Sequence, residues 1–157
     1  MITVQQADFD LAAEYNRLRE DAGDTGAIVT FTGLVREFYV PDADEALPGG
    51  STKALYLEHY PGMTEKKLQD IVAQAESRWP LLGARIIHRI GELHPGDQIV
   101  MVATASSHRH AAFEAAEFIM DYLKSHAPFW KKQSSATSSD WISSRSSDGE
   151  ALKRWQD

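Results

Sequence analysis

The stretch SSHRHAAFEAAEFIMDYLKSHAPFWKK, residues 106–132, predicts one long helix around which the rest of the chain packs. Its apolar residues recur at steps of three and four positions, the spacing of one helical face. They are Ala112, Phe113, Ala116, Ile119, Met120 and Leu123. Phe118 and Tyr122 widen this face, so we expect the helix to be buried on more than one side.

The start of this helix has the charge pattern of an anion site. Ser106 or Ser107 is a candidate N-cap. His108 and Arg109 then fall in the first turn, where free backbone N–H groups and the helix dipole favour a negative charge. The same side chains also suit an ordinary polar helix start, so the pattern alone leaves a binding role and a structural role equally open.

The end of the helix carries lysines. Pro128 stops the helix, Lys124 precedes it in the last turn, and Lys131 and Lys132 follow in a short predicted strand. Each lysine has a structural alternative, because the helix dipole stabilises a cation at this end and edge-strand lysines oppose aggregation. Whether Lys124 and Lys131 converge depends on how the chain folds back after Pro128, and spacing does not decide it.

Composition excludes several classes of function. A single domain spanning residues 1–157 is the simplest organisation, and the net charge of -7 argues against a general nucleic-acid binder. The absence of cysteine excludes disulfides, thiolate metal sites and a cysteine nucleophile. His108 and His110 have a spacing that does not converge on one helix face, so we expect no metal and no cofactor. Without an apolar span or a signal sequence, a cytoplasmic location is expected.

The remaining segments interleave helices and strands without a regular β-α-β rhythm, which predicts an α+β fold with a mainly antiparallel sheet. A helix capped by Asp8 is expected to run to Asp21, and residues 85–93 are expected to form one strand. Residues 38–52, rich in proline, glycine and acid, predict a mobile surface loop. The tail, residues 134–157, is rich in serine, but its tryptophans are costly to expose, so we expect it to be partly packed.

Several sequence words, in order, resemble the large, catalytic subunit of molybdopterin synthase. They are FTGLVR, LEHYPGMTEK, RWPL, HRIGEL, PGD, SSHR, EFIMDYLK and APFWKK, with weaker similarity through DWI and KRW. The resemblance implies an α/β-hammerhead-like domain with an added small antiparallel β subdomain. It also implies a sulfurtransferase of molybdenum cofactor biosynthesis.

The resemblance further implies the reaction and the partners. Sulfur would arrive as a thiocarboxylate on the C-terminal Gly-Gly of a small ubiquitin-like subunit. It would be transferred to cyclic pyranopterin monophosphate to form the molybdopterin dithiolene. Two large subunits would form a central homodimer within a heterotetramer. The lack of cysteine agrees with this scheme, because the sulfur is brought by another molecule.

The resemblance also assigns roles to particular residues. Lys124 and Lys131 correspond to the two lysines given catalytic roles. The residues expected to bind substrate are Arg36, His108, Arg109, Lys132, Gln133 and Arg145, the last reaching the site from the neighbouring subunit. Two positions depart from the family pattern, since Leu34 replaces a lysine and Gln133 stands where an acidic residue is common.

Two alternatives from other classes are a non-catalytic module that captures a ubiquitin-like tail and a small-phosphate sensor without turnover. Both Lys124 and Lys131 are present, which favours the enzyme. His59 and His88 better fit structural histidines than ligands, because one lies at the junction of a strand and a turn and the other within a strand.

Overall fold

In the computed structural model, which describes residues 1–36, 54–134, 139–142 and 146–156, eight strands form two four-stranded sheets. The strands are β1 (Ile2–Gln5), β2 (Ala27–Leu34), β3 (Ala54–His59), β4 (Leu81–Arg89), β5 (Gly91–Leu93), β6 (Gln98–Ser106), β7 (Phe129–Ser134) and β8 (Ser139–Ile142). The helices are α1 (Leu11–Asp21), α2 (Met63–Arg78), α3 (Arg109–His126) and α4 (Ser146–Ala151), followed by a 3₁₀ helix (Leu152–Trp155). Among the described helices none is long and apolar enough to cross a membrane.

The first sheet has the strand order β1-β4-β6-β2. Only its β1–β4 pair is parallel, and the other pairs of both sheets are antiparallel. The prediction of an α+β fold with a mainly antiparallel sheet is therefore confirmed. The second sheet, in the order β5-β3-β7-β8, is the smaller β subdomain that the resemblance implied.

The first sheet is covered by helices on both faces. Ile86 packs with α2 and α3, whereas its neighbour Ile87 packs with residues of α1, because successive strand side chains point to opposite faces. The same alternation directs His88 to the side of α2 and α3. On the α1 side, the buried Arg85 donates to Glu14 at 3.1 Å and to the Thr3 hydroxyl at 2.7 Å, so this buried cation is paired.

Helix α3 carries the centre of the core, as its periodicity predicts. Ala112, Phe118 and Ile119 are all 0% exposed. The prediction was wrong for Phe113, which is 60% exposed. The reason is geometric, because Phe113 lies four residues before the exposed Glu117 and therefore on the outer stripe of the helix.

Two predicted boundaries are also corrected. The cap of α1 is Asp10, whose Oδ1 accepts from the N–H of Ala13, and not Asp8, whose Oδ1 accepts from Phe9. Residues 85–93 do not form one strand. Gly91 has a φ of 83°, a conformation that L side chains rarely adopt, and there the chain leaves the first sheet to begin β5 in the second.

The second sheet packs its inner face against the first. Val35, Leu55, Leu57 and Leu93 form its core. Phe129, the first residue of β7, packs against this cluster and against the core beneath α3, so it joins the two sheets.

The last described elements lie against α2 and α3. Trp155 is 6% exposed and makes edge contacts with Trp79 and Phe118. Its indole N–H donates to Asp121 at 2.6 Å, and Arg78 donates to its carbonyl at 2.9 Å. The expected surface loop, residues 38–52, lies outside the described residues.

Candidate active site

The chain folds back sharply between α3 and β7. The N–H of Ala127 donates to the carbonyl of Leu123 at 3.2 Å, and the N–H of Phe129 donates to the carbonyl of Ala127 at 2.9 Å. We call residues 127–129 the α3–β7 corner. It returns the chain along β3, where Lys131 lies opposite Leu57. The chain therefore folds back after Pro128, as the convergence of Lys124 and Lys131 requires.

His88 lies beneath this corner. Its side chain is almost fully buried, and its ring stacks on Phe129 with 3.8 Å between centroids and an angle of 18° between planes. Its Nδ1 is 2.8 Å from the carbonyl oxygen of Arg89. Because a carbonyl oxygen only accepts, Nδ1 carries the proton, and this bond fixes the orientation of the ring.

The lysines act electrostatically on this histidine. Burial is the main cause that lowers the pKa of His88 from 6.5 to about 4, and the positive charges of Lys131, Lys124 and then His59 lower it further. The hydrogen bond to Arg89 opposes the shift. His88 is therefore neutral near pH 7.

The first turn of α2 braces the corner from the other side. Thr64 is 0% exposed, and its hydroxyl accepts from the N–H of Tyr60 and donates to the carbonyl of Pro128, both at 3.0 Å. Next to it, Nε2 of His59 lies 3.3 Å from Glu65. Glu65 is held in turn, because its other oxygen accepts from the backbone N–H of Gly62 at 2.7 Å.

The opposite end of α3 is open. Its N-cap is His108, with no side-chain capping bond, and not Ser106 or Ser107 as predicted. Ser106 is unavailable because it ends β6 and its hydroxyl donates to the carbonyl of Pro80 at 2.8 Å. His108, Arg109, His110 and Phe113 are exposed and line an open cavity of about 450 Å³.

The backbone before α3 is fixed by a close approach. The N–H of Gly26 donates to the carbonyl of Ser106 at 3.0 Å. A Cβ at Gly26 would collide with the carbonyl oxygen of Ser107, so only glycine fits here without a backbone shift. The contact holds the segment that leads into His108.

One chain does not bring the two ends of α3 together. Arg109 and Lys124 are fifteen residues apart in the same helix, which corresponds to roughly 22 Å between their Cα atoms. Within a single chain, Arg109 therefore lies at the opposite end of α3 from Lys124.

Arg36 belongs to the lysine end. Leu34, at the end of β2, pairs with Gln98 at the start of β6. Helix α3 begins near the end of β6, where Thr104 contacts Ala112, and runs back along this strand, so the end of α3 lies near the start of β6. Arg36 is exposed and follows the buried Val35, whose side chain packs in the core of the second sheet. The end of β2 and the end of α3 thus lie on the same side of the molecule.

The other expected site residues are described only in part. Lys132 pairs through its backbone with Tyr56 and Trp141, and Gln133 pairs with Leu55 and Asp140. Arg145 lies outside the described residues. In the part of the chain that the structure describes, no three histidine or acidic side chains are grouped as metal ligands.

A smaller cavity, of about 230 Å³, lies between α1 and the start of β4. Two of its lining residues, Glu14 and Arg85, already bind each other. It lies on the face of the first sheet opposite α3, away from the lysines.

Sequence reasoning missed three residues around the corner, His88, His59 and Thr64. It assigned both histidines structural roles and did not consider Thr64. The pattern of β4 indicates that position 88 points inward, but only the fold places it beside Lys124 and Lys131.

The fold and these residues define a class: an α+β protein of two packed sheets, with basic side chains gathered at both ends of one buried helix. The model of the MoaE protein family matches residues 4–126. The chain belongs to the MoaE protein family.

Relatives and solved structures agree with this assignment. A molybdopterin synthase catalytic subunit of Vibrio cholerae is 50% identical over 155 residues, which covers 99% of this chain and 97% of the relative. The structure of molybdopterin cofactor biosynthesis protein E from Burkholderia multivorans has a TM-score of 0.80 at 48% identity and covers 99% of this chain and 95% of its own. The crystal structure of molybdopterin synthase from Staphylococcus aureus has a TM-score of 0.76 at 32% identity and covers 90% and 96%.

Proposed function

We propose that this chain is the catalytic subunit of a molybdopterin synthase, a sulfurtransferase of molybdenum cofactor biosynthesis. It transfers sulfur from the C-terminal thiocarboxylate of a small ubiquitin-like subunit to cyclic pyranopterin monophosphate, forming the dithiolene. The observation that carries the proposal is the fold-back of the chain after α3, which places Lys124 and Lys131 on the two sides of one corner in a chain of this family.

The two lysines suit this chemistry. Both the thiocarboxylate and the substrate phosphate are anions, and paired cations beside a poorly solvated ring bind an anion more strongly than isolated exposed ones. A positioned lysine also acts as general acid or base during transfer. We assign Lys124 and Lys131 these catalytic roles.

His88 limits the charge of the site. Because it is neutral near pH 7, it adds no further positive charge beneath the corner that joins the two lysines. The two ammonium groups therefore remain the positive charges that an incoming thiocarboxylate meets at this corner.

A second group of residues binds the substrate. Arg36 lies at the lysine end, and Lys132 and Gln133 follow Lys131 along β7. Arginine suits the two-pronged recognition of phosphate oxygens. Leu34, which stands where the family pattern has a lysine, is 55% exposed and leaves this rim with one cation fewer.

His108 and Arg109 enter the same site from a neighbouring subunit. Since about 22 Å separates them from Lys124 along one helix, a homodimer in which the start of α3 in one subunit faces the end of α3 in the other brings both groups to one pocket. We assign Arg145 to the residues that the neighbouring subunit adds to the site. Two such sites and two small subunits make a heterotetramer.

The tail of the small subunit reaches Lys124 through a narrow path. Glycines suit such a path, because they have no side chain and let the backbone approach the walls. A neutral amine beside the thiocarboxylate is also acylated at times: its nitrogen attacks the carbonyl carbon, the C–S bond breaks, and the sulfur leaves as hydrogen sulfide. We therefore expect an isopeptide between Lys124 and the terminal glycine as a side product, detected by mass spectrometry.

Reconstitution tests the proposal. The purified chain, a thiocarboxylated Gly-Gly subunit and cyclic pyranopterin monophosphate should together yield the dithiolene, whereas a partner with an ordinary carboxylate should not. Binding of both without product would favour a tail-capturing module, and phosphate binding without partner binding would favour a sensor. The cytoplasmic location is part of the same proposal, and cell fractionation checks it.

A further inference from the structure

The α3–β7 corner connects the two lysines of the proposed site, and other elements hold it in place. Inside the corner, backbone bonds link Ala127 to Leu123 and Phe129 to Ala127. Pro128 has no N–H and donates nothing. These bonds shape the turn, and the backbone pairing of β7 with β3 sets the direction of the strand. Side chains of two other elements contact the corner itself at Pro128 and Phe129.

Thr64 holds the corner from the side of α2. Its hydroxyl is an acceptor for the N–H of Tyr60 and a donor to the carbonyl of Pro128, so its proton has one defined direction. The residue is fully buried, where an unpaired donor or acceptor is costly. The bond therefore ties the start of α2 to the middle of the corner.

His88 holds the corner from the first sheet. Its ring stacks on Phe129 and is oriented by the bond from Nδ1 to the carbonyl of Arg89. Phe129 belongs to the second sheet, so this stack joins the two sheets directly beneath the corner.

We propose that His88 and Thr64 are positioning residues of the sulfur-transfer site, which clamp the α3–β7 corner from two sides and so fix Lys124 relative to Lys131. Lys124 precedes the clamped residues by three positions, and Lys131 follows them by two. The catalytic part of this inference rests on the proposed function. The geometric part does not, because it concerns only the separation of two amines in the free protein.

A short amine-reactive crosslinker measures that separation directly. The wild-type protein, without partner or substrate, is treated with 1,5-difluoro-2,4-dinitrobenzene, and the Lys124–Lys131 crosslink is quantified by peptide mass spectrometry. We expect this crosslink in the wild type. Its absence there would overturn the proposal, because the lysines would not be held close together.

Two pairs of variants separate the clamp from general destabilisation. Thr64→Val and His88→Ala should each lower the crosslink yield at least about threefold, since a displacement near 1 Å is enough to disturb such geometry. Thr64→Ser keeps the hydroxyl and His88→Phe keeps the ring stack, so both should retain most of the yield.

Thr104→Val is the matched control. Thr104 is also 0% exposed, and its hydroxyl donates to the carbonyl of Ala112 at 2.7 Å near the other end of α3. The Thr104→Val substitution removes the same kind of bond, a buried threonine hydroxyl donating to a backbone carbonyl, without touching the corner. A yield that falls as far in Thr104→Val as in Thr64→Val would overturn the clamp, because loss of stability alone would then explain the result.

Turnover completes the test. In reconstituted enzyme, Thr64→Val and His88→Ala should lower kcat about 10- to 100-fold and change KM for the substrate less than about twofold, because positioning affects the chemical step. A variant that loses the crosslink and keeps full kcat would overturn the positioning role. If the wild type shows the crosslink but no turnover with a thiocarboxylated partner, the proposed function fails while the geometric inference stands.

Discussion

The two ends of α3 are both basic, yet they are built differently. At the start, His108 and Arg109 are exposed beside an open cavity, and the helix lacks a side-chain cap. At the end, a buried neutral histidine and a buried threonine hold the corner from which the lysines project. Salt screens the exposed charges at both ends, Lys124 included, but the turn after Lys124 is held by buried side chains and keeps a fixed geometry. Following the proposed function, we call the first end, with His108 and Arg109, the binding end and the second, with Lys124 and Lys131, the chemical end.

The largest expected effect tests the chemical end. Lys124→Ala should lower kcat by about 10²–10⁴, the usual contribution of a general acid or base. Stability should change little, because Lys124 is exposed. Reconstituted dithiolene formation measures kcat, and thermal unfolding checks the fold.

The control for Lys124→Ala is Lys153→Ala, which also removes an exposed lysine but lies in the 3₁₀ helix near the end of the chain. It should keep wild-type kcat. If folded Lys124→Ala protein kept more than about half of the activity, the distinction between the two ends would fail, because the general acid–base contribution expected here is far larger.

The second prediction concerns the buried ring at the chemical end. The folded pKa of His88, about 4, lies below its ordinary value of 6.5, so the unfolded chain binds this proton more readily. The free energy of unfolding should therefore rise with pH between about 4 and 6.5 and gain nothing further from this group above that range. The shift corresponds to roughly 3 kcal/mol.

Urea unfolding at pH 4.5 and pH 7 measures this slope. The groups that act on His88 are Lys131, Lys124 and His59, and all carry positive charge when protonated. His88→Phe should flatten the slope. His110→Phe, at an exposed position, should leave it as in the wild type. An equal slope in His88→Phe would mean that His88 is not held neutral by the fold.

More of the fold than of the candidate site can be predicted from the sequence. Helical spacing over residues 106–132 predicts α3 and its core, since periodicity reports a local property. It fails at Phe113, because a residue at the edge of the apolar stripe is buried only if a neighbour covers it. The cap of α1 was misplaced for a similar reason. Asp8 and Asp10 are both candidate caps, and the backbone conformation in the fold determines that Asp10 caps the helix.

The site depends on contacts between distant residues, and spacing carries little information about them. Thr64 reaches Pro128, and His88 reaches Phe129, across 64 and 41 positions. The family resemblance supplies Lys124 and Lys131 without these contacts. It also groups Arg109 with them, whereas the length of α3 separates the two sets within one chain.

The third prediction addresses the binding end. Arg109→Ala should raise KM for the substrate about tenfold and leave kcat nearly unchanged, since one charge-assisted hydrogen bond is lost. The loss should be smaller at high salt, where screening already weakens the contact. Arg19→Ala, on α1 at the opposite face of the sheet, removes the same charge and should have no effect. Unchanged substrate affinity in Arg109→Ala would place the phosphate elsewhere.

The smallest expected effect decides whether the two ends meet across a dimer. Lys124→Ala and Arg109→Ala chains with different affinity tags are co-expressed, and hybrid dimers are purified through both tags. Each hybrid contains one site with both residues intact, so it should show about half of the wild-type kcat per dimer with the wild-type KM for the substrate. If each subunit worked alone, the same kcat would come with the roughly tenfold higher KM of Arg109→Ala. A hybrid of Lys124→Ala with Lys131→Ala is the control, because both residues belong to the same end of one subunit and no intact site forms. A raised KM in the first hybrid would mean that Arg109 serves the site of its own subunit, and activity in the control would mean that Lys124 and Lys131 serve different sites.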